Sequence, residues 1–251
     1  MLVLLPPSET KRDGGDGPPL EPDGLSFPTL AAPRSVALAA TLGLAADPDG
    51  MIRALKLGPR QSAEVERNRR LLDSPTMPAI DRYTGVLYDA LDAATLDAGS
   101  RAHAARHVVV HSALFGLISA GDGIPAYRLS HDSRLPGLPL RRLWRGPVAA
   151  ELVAVDGLIV DLRSEGYVHL GPAPDRRDAV FLRVVSIDEH GRRRALNHFN
   201  KHAKGLFTRA LLECRADLRG RDDLIAWARD HGFRLTHSAP DAPSNELELV
   251  A

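Results

Sequence analysis

A chain of 251 residues, 44% apolar and 25% charged, holds enough hydrophobic material for a sizeable core and has the balance of a globular protein in water. Its 32 basic and 32 acidic residues cancel, so overall charge does not by itself direct the chain onto nucleic acid. One cysteine, Cys214, excludes an intramolecular disulfide. With no basic leader and no apolar run near the roughly 20 residues that span a bilayer, the chain reads as soluble and cytoplasmic, without a membrane partner.

The apolar run 1–6 predicts a buried strand that Pro6 and Pro7 stop. Residues 12–28, rich in Gly, Pro and Asp, predict a flexible loop within the domain. Helices are expected over 35–46, 51–57 and 61–72, the last two joined by Leu57-Gly58-Pro59-Arg60. Two more are expected over 83–91 and 96–107. The β-branched run Val108–His111 predicts a central strand, followed by "SALFGLIS" and a turn at Gly121-Asp122-Gly123. A helix is expected within 140–155 with Pro147 early in it, then a strand over 157–164 with a polar exit. Residues 179–201 pattern as a hairpin around Glu189-His190-Gly191. Helices over 201–215 and 222–231, a strand at 233–236 and an edge strand in "ELELV" complete the chain. This order predicts one α+β or mixed α/β domain over 1–251, with a central mixed sheet.

Four clusters carry chemistry. "PPSETK" ends the first strand in hydroxyls, a carboxylate and an amine: Ser8, Glu9, Thr10 and Lys11. "LGPR" could offer backbone amides to a phosphate, with Lys56, Gly58 and Arg60 as its polar contribution; an ordinary helix–helix turn is the reading the sequence alone favours. Ser112, Tyr127 and Arg128 stand at the edges of apolar segments, where Arg128 suits a carboxylate or phosphate. Asp161, Ser164, Glu165 and Tyr167 follow a strand, where functional side chains collect.

Between Arg176 and Arg219 the basic residues exceed the acidic by six, 11 against 5. Within that stretch Lys201 and Lys204 share one helical face, a pair suited to an anion or simply to solvent. His198 and His202 have metal-compatible spacing but no identified third ligand, so no metal is expected. No phosphate-binding loop, dinucleotide fingerprint or nucleophile elbow is present.

"LLPPSETK", "YTGVLYDAL", "SALFGLISAGDGIPAYRLS", "LWRGPV", "VDLRSEGY" and "FNKHAKGLFTRALLE", in this order, resemble the YaaA family of peroxide stress proteins. The resemblance covers residues 1–11 and roughly 80–236. It implies a single α/β domain with a basic cleft and a helix-hairpin-helix element. It also implies DNA binding tied to peroxide protection and iron homeostasis; contact through backbone phosphates would be sequence-independent, and no cofactor is expected. Residue by residue it carries over Ser8, Thr10 and Lys11, then Ser112, Phe115, Gly116, Tyr127 and Arg128. After these come Asp161, Ser164 and Tyr167, and finally Lys201, Lys204 and Gly205. Leu57–Arg60 falls where the hairpin would be. Two functions follow from these residues. One is a DNA binder that tracks phosphates in a basic groove. The other is an enzyme on a nucleotide or nucleobase, with Lys11 or Lys201 as nucleophile or base. Convergence of the polar groups into one concave pocket favours the second; an open lysine stripe favours the first.

Overall fold

The computed structural model describes residues 1–58, 61–187, 193–195, 198–238 and 242–250. The strands are β1 (Leu2–Leu5), β2 (Gly17–Pro19), β3 (Pro75–Pro78), β4 (Val108–Ser112), β5 (Gly116–Ser119), β6 (Gly123–Ile124), β7 (Ile159–Asp161), β8 (Ala179–Ile187), β9 (Arg193–Ala195), β10 (Arg234–His237) and β11 (Glu246–Val250). The helices are α1 (Ala31–Ala45), α2 (Pro48–Leu55), α3 (Ala63–Arg69), α4 (Ala79–Arg82), α5 (Val86–Leu91), α6 (Ala98–His107), α7 (Leu140–Val153), α8 (Glu165–His169), α9 (His198–Cys214) and α10 (Arg221–Asp230).

The main sheet runs β10-β11-β8-β7-β1-β4-β5, with β9 paired to β8. Its five central strands, β11, β8, β7, β1 and β4, run parallel to one another, and β5, β9 and β10 pair with them antiparallel. This mixed sheet matches the expected fold class. The apolar run of β1 is explained by its place at the centre, where Val3, Leu4 and Leu5 are wholly buried between layers. The chain leaves β1 for β4 on one side, then crosses back to β7 on the other. Beyond the carboxyl end of β1 the strand order therefore reverses, and open parallel sheets form their ligand crevices at such a point.

Several expected elements shift. The "ELELV" strand is not at the edge: β11 lies between β8 and β10. Its alternation puts Leu247 and Leu249 in the core, while Glu246 meets Arg183 at 2.9 Å, so a buried carboxylate is paired. The edge belongs to β10. Pro147 sits in the middle of α7 rather than near its start. The expected helix over 83–91 is split, because Tyr83 bridges to Lys11 and Gly85 takes φ +94° before α5 begins. The hairpin of β8 and β9 is present, but its tip, residues 188–192, lies outside the described residues.

The Gly/Pro/Asp-rich segment 12–28 contributes β2 and a 3-10 turn, and buries Leu20 and Leu25. Two buried arginines hold it through carbonyls. Arg34 donates to Ser26 and Pro22, and also to Phe115 and Leu117 of the β4–β5 hairpin. Arg82 donates to Gly14, Pro75 and Ile124. A planar guanidinium with five donors can satisfy several loop carbonyls that no ladder reaches.

Candidate functional site

A cleft of about 720 Å³ opens beyond the carboxyl ends of β1 and β7. That size lies within the roughly 300–1,000 Å³ typical of ligand sites. One wall is the loop after β1, Pro6 to Thr10, backed by Thr84 to Tyr88 at the start of α5. The facing wall is the first turns of α9, with Asn200, Lys201 and Lys204. Leu129–His131 and the strip Leu162, Ser164 and Tyr167 close the remaining side.

The local sequence explains each wall. After Pro6 and Pro7 end the strand, Thr10 donates its backbone N–H to Ser8 Oγ at 3.3 Å, and the two hydroxyls lie 3.2 Å apart. Gly85 completes the bowl: a Cβ there would stand 3.3 Å from Ser8 Oγ and 3.4 Å from Thr10 Oγ1, at a φ that side chains resist. Gly205 lets α9 approach α5, since a Cβ would fall 2.2 Å from the Leu87 carbonyl oxygen. Gly85 thus packs the first wall, and Gly205 sets the spacing between α5 and α9.

Tyr88 and Tyr167, both buried, give the cleft an apolar floor with fixed hydroxyls. Tyr88 donates to the Pro6 carbonyl at 2.8 Å. Burial holds both phenols well above their ordinary pKa, so they stay neutral.

Lys11 does not line the cleft. It is buried behind the loop, donating to the Ser8 carbonyl at 2.9 Å and lying 4.1 Å above the centre of the Tyr127 ring. Burial first, then the Arg128 guanidinium, brings its pKa down to about 7. Arg128 forms an ion pair with Glu9 at 2.7 Å, so its charge is met by the loop's own carboxylate. Ser112 is fully buried and bonds Tyr127 at 2.7 Å while accepting from the Leu114 and Phe115 amides. Tyr127 in turn bonds Tyr83 at 2.8 Å. Of the expected cluster, Ser8, Thr10, Ser164, Lys201 and Lys204 therefore meet around the cleft. Lys11, Ser112, Tyr127 and Arg128 form the layer that supports its first wall.

Lys201 is exposed at the rim, and Lys204 is buried. Burial draws the Lys204 pKa down to about 8, partly opposed by the Asp161 carboxylate. Below it, Arg163 is enclosed completely: it grips Asp161 through two bonds at 2.9 and 2.6 Å and donates to His111 Nδ1 at 2.8 Å. Sequence reading selected Asp161 but missed Arg163 and His111, which nothing distinguishes from other strand-end residues until β4 and β7 are placed on either side of β1. Phe115 and Gly116 serve the core: a Cβ on Gly116 would strike the buried Trp144 ring at 2.6 Å.

Part of the positive surplus between Arg176 and Arg219 is met by acids outside that stretch, at three arginines, while a fourth pairs within it. Arg177 pairs with Asp222, Arg183 with Glu246 and Glu165, Arg209 with Glu213, and Arg215 with Asp97. Lys201 and Lys204 form no ion pair with any described residue.

At the other candidate contact, α2 and α3 flank the Leu57–Arg60 turn, and Lys56 lies 3.8 Å from Asp132. The Gly58 amide donates to Gln61 Oε1 at 2.9 Å, so it is already satisfied. Arg60 lies outside the described residues, as do the side chain of His198 and the rest of the turn at Pro59. Among the described residues no group of three or more His, Cys, Asp or Glu could hold a metal ion, and no helix is long and apolar enough to cross a membrane.

The family model described as peroxide stress protein YaaA matches residues 1–239. Among curated relatives, a UPF0246 protein of Corynebacterium glutamicum is 44% identical over 238 residues, covering 93% of this chain and 94% of its own. A UPF0246 protein of Streptomyces coelicolor is 41% identical over 244 residues, covering 96% and 94%.

Proposed function

The chain belongs to the YaaA family of peroxide stress proteins, and from that premise we propose that it binds DNA by taking one unstacked nucleotide into the cleft. The observation that carries this reading is the cleft's division of labour. Buried tyrosine and leucine surfaces suit the face of a base, and Lys201 and Lys204, which form no ion pair with any described residue, stand on the α9 wall to meet a phosphate. Ser8, Thr10 and Ser164 supply hydroxyls for the sugar and base edges. The site reads backbone charge and a flat ring, not a sequence.

A concave site implies a preference among DNA forms. A base in intact duplex must first leave its stack, at a cost of a few kcal/mol. Single-stranded and gapped DNA should therefore bind more tightly than intact duplex. The test is a salt titration of all three forms with Lys201→Ala beside the parent. Affinity should fall linearly on logarithmic axes, and the variant's slope on single strands should be shallower by about 0.7 if Lys201 meets one phosphate. Affinity that ignores salt, or binding to none of the three forms, would overturn the reading.

The enzyme reading has two observations in its favour: Ser8, Thr10, Ser164, Lys201 and Lys204 gather at one concave cleft, and one of them, Lys204, is a buried lysine.

A further inference from the structure

We propose that Lys204 is an imine-forming amine, condensing with the aldehyde of a phosphate-bearing deoxysugar held in the cleft. This rests on the nucleotide-binding reading of the same site, and adds a reaction to it.

Residue choice is the first argument. The chain contains four lysines, Lys11, Lys56, Lys201 and Lys204, against 28 arginines. Where only a cation is needed the protein uses arginine, as in Arg34, Arg82, Arg163 and Arg183. Arginine cannot give up its proton in a protein, so it cannot serve as an amine nucleophile. Two of the four lysines line the cleft and a third supports its wall.

Geometry separates these three. Lys11 is held by the Ser8 carbonyl and the Tyr127 ring, behind the loop. Lys201 is exposed and solvated. Lys204 lines the cleft yet is buried, and its sole hydrogen bond to a described residue is a long one, 3.4 Å to the Arg163 carbonyl. No carboxylate of a described residue pairs with it. One turn earlier on the same helix face, Asn200 Oδ1 is buried at the cleft with no partner among the described residues. A sugar hydroxyl lying between α9 and the Ser8 loop would satisfy it. Lowering the amine's pKa to about 8 leaves roughly a quarter of it neutral at pH 7.5, against about one part in a thousand for a solvated lysine.

The step balances without oxidant or reductant. The neutral Nζ lone pair adds to the aldehyde carbon, and the carbonyl π pair moves to oxygen, which takes a proton from solvent. Nitrogen loses a proton to give the neutral carbinolamine. Its hydroxyl then takes a second proton and leaves as water while the nitrogen lone pair forms the C=N bond, so two protons taken up and one released leave a protonated imine. Such aldehydes occur in abasic DNA, where the deoxyribose opens, and in free sugar phosphates. Lys201 at the rim suits the phosphate of either.

The test incubates the full chain with sodium cyanoborohydride, which reduces an imine to a stable amine. Two probes are used: a single-stranded oligonucleotide with one abasic deoxyribose, and 2-deoxyribose 5-phosphate. Peptide mass spectrometry should place the adduct on Lys204, readable among only four lysines, and Lys204→Arg should lower adduct yield at least tenfold. Binding of the oligonucleotide without reductant is measured in parallel. Binding with no adduct, or with the adduct on another lysine, overturns the imine assignment and leaves the binding reading standing. An adduct on Lys204 from the sugar phosphate, with an oligonucleotide that neither binds nor reacts, supports the assignment and removes nucleic acid as the source. Absence of both binding and adduct with every probe overturns both.

Discussion

Replacing Lys11 by methionine should change how stability depends on pH, and the size of the change follows from where the amine sits. In the folded protein Lys11 is enclosed by the Tyr127 ring and the Ser8 loop, and its pKa is about 7 against an ordinary 10.5. Because the folded value is the lower one, the unfolded chain binds more protons between these limits, and stability rises with pH across that window. Below pH 7 both states carry the ammonium, and its enclosure then costs an amount of order 5 kcal/mol. Lys11→Met abolishes this term while keeping a chain of similar length. Subtracting the variant's unfolding free energy from the parent's cancels every other titrating group. That difference should move in the parent's favour by about 2.7 kcal/mol between pH 6 and pH 9. Urea titrations at four or five pH values measure it directly. Parallel curves for the two proteins would refute the enclosure of this amine.

Gly205→Ala would force its Cβ against the Leu87 carbonyl, parting α5 from α9; a loss of about 1–3 kcal/mol is expected by urea denaturation, with weaker DNA binding. Asp161→Ala leaves the Arg163 cation enclosed and unpaired, which should cost about 3–5 kcal/mol in the same assay. Glu9→Gln removes a negative charge from the cleft mouth and frees Arg128; binding of single-stranded DNA at low salt should tighten about two- to fivefold by fluorescence anisotropy.

The fold was legible where periodicity and burial coincide. Leu2–Leu5 and Val108–Val110 are apolar because β1 and β4 lie inside the sheet and are buried on both faces, and an apolar run is all that such a strand can show. "ELELV" misleads for the complementary reason. Alternating glutamates resemble a solvent-facing edge, whereas Glu246 faces inward to Arg183, a partner 63 residues away. The order of segment 12–28 was hidden for a similar reason: Arg34 and Arg82 act on backbone carbonyls, which no residue type encodes.

The candidate site divides along the same line. Ser8, Thr10, Ser164, Lys201 and Lys204 were recognisable as polar groups at the ends of elements, and they do gather at one cleft. The arrangement of the amines was not recognisable. Lys11 and Arg128 look like partners for an external anion, yet one is turned to carbonyls and the other to Glu9. The basic surplus after Arg176 is partly met by Asp222, Glu246 and Asp97 from distant positions and by Glu213 one turn along α9, which the count of charges does not show. Lys204, the amine on which the imine proposal rests, differs from Lys201 by three residues and one face of burial.

The central claim is that DNA enters the cleft between the β1 loop and α9, and amide hydrogen exchange with and without a single-stranded oligonucleotide tests it most directly. The account predicts slower exchange in residues 6–11, 84–88, 129–131, 164–167 and 200–204, with the β10 edge unchanged. Protection confined to the turn between α2 and α3, with those five segments unaffected, would contradict it.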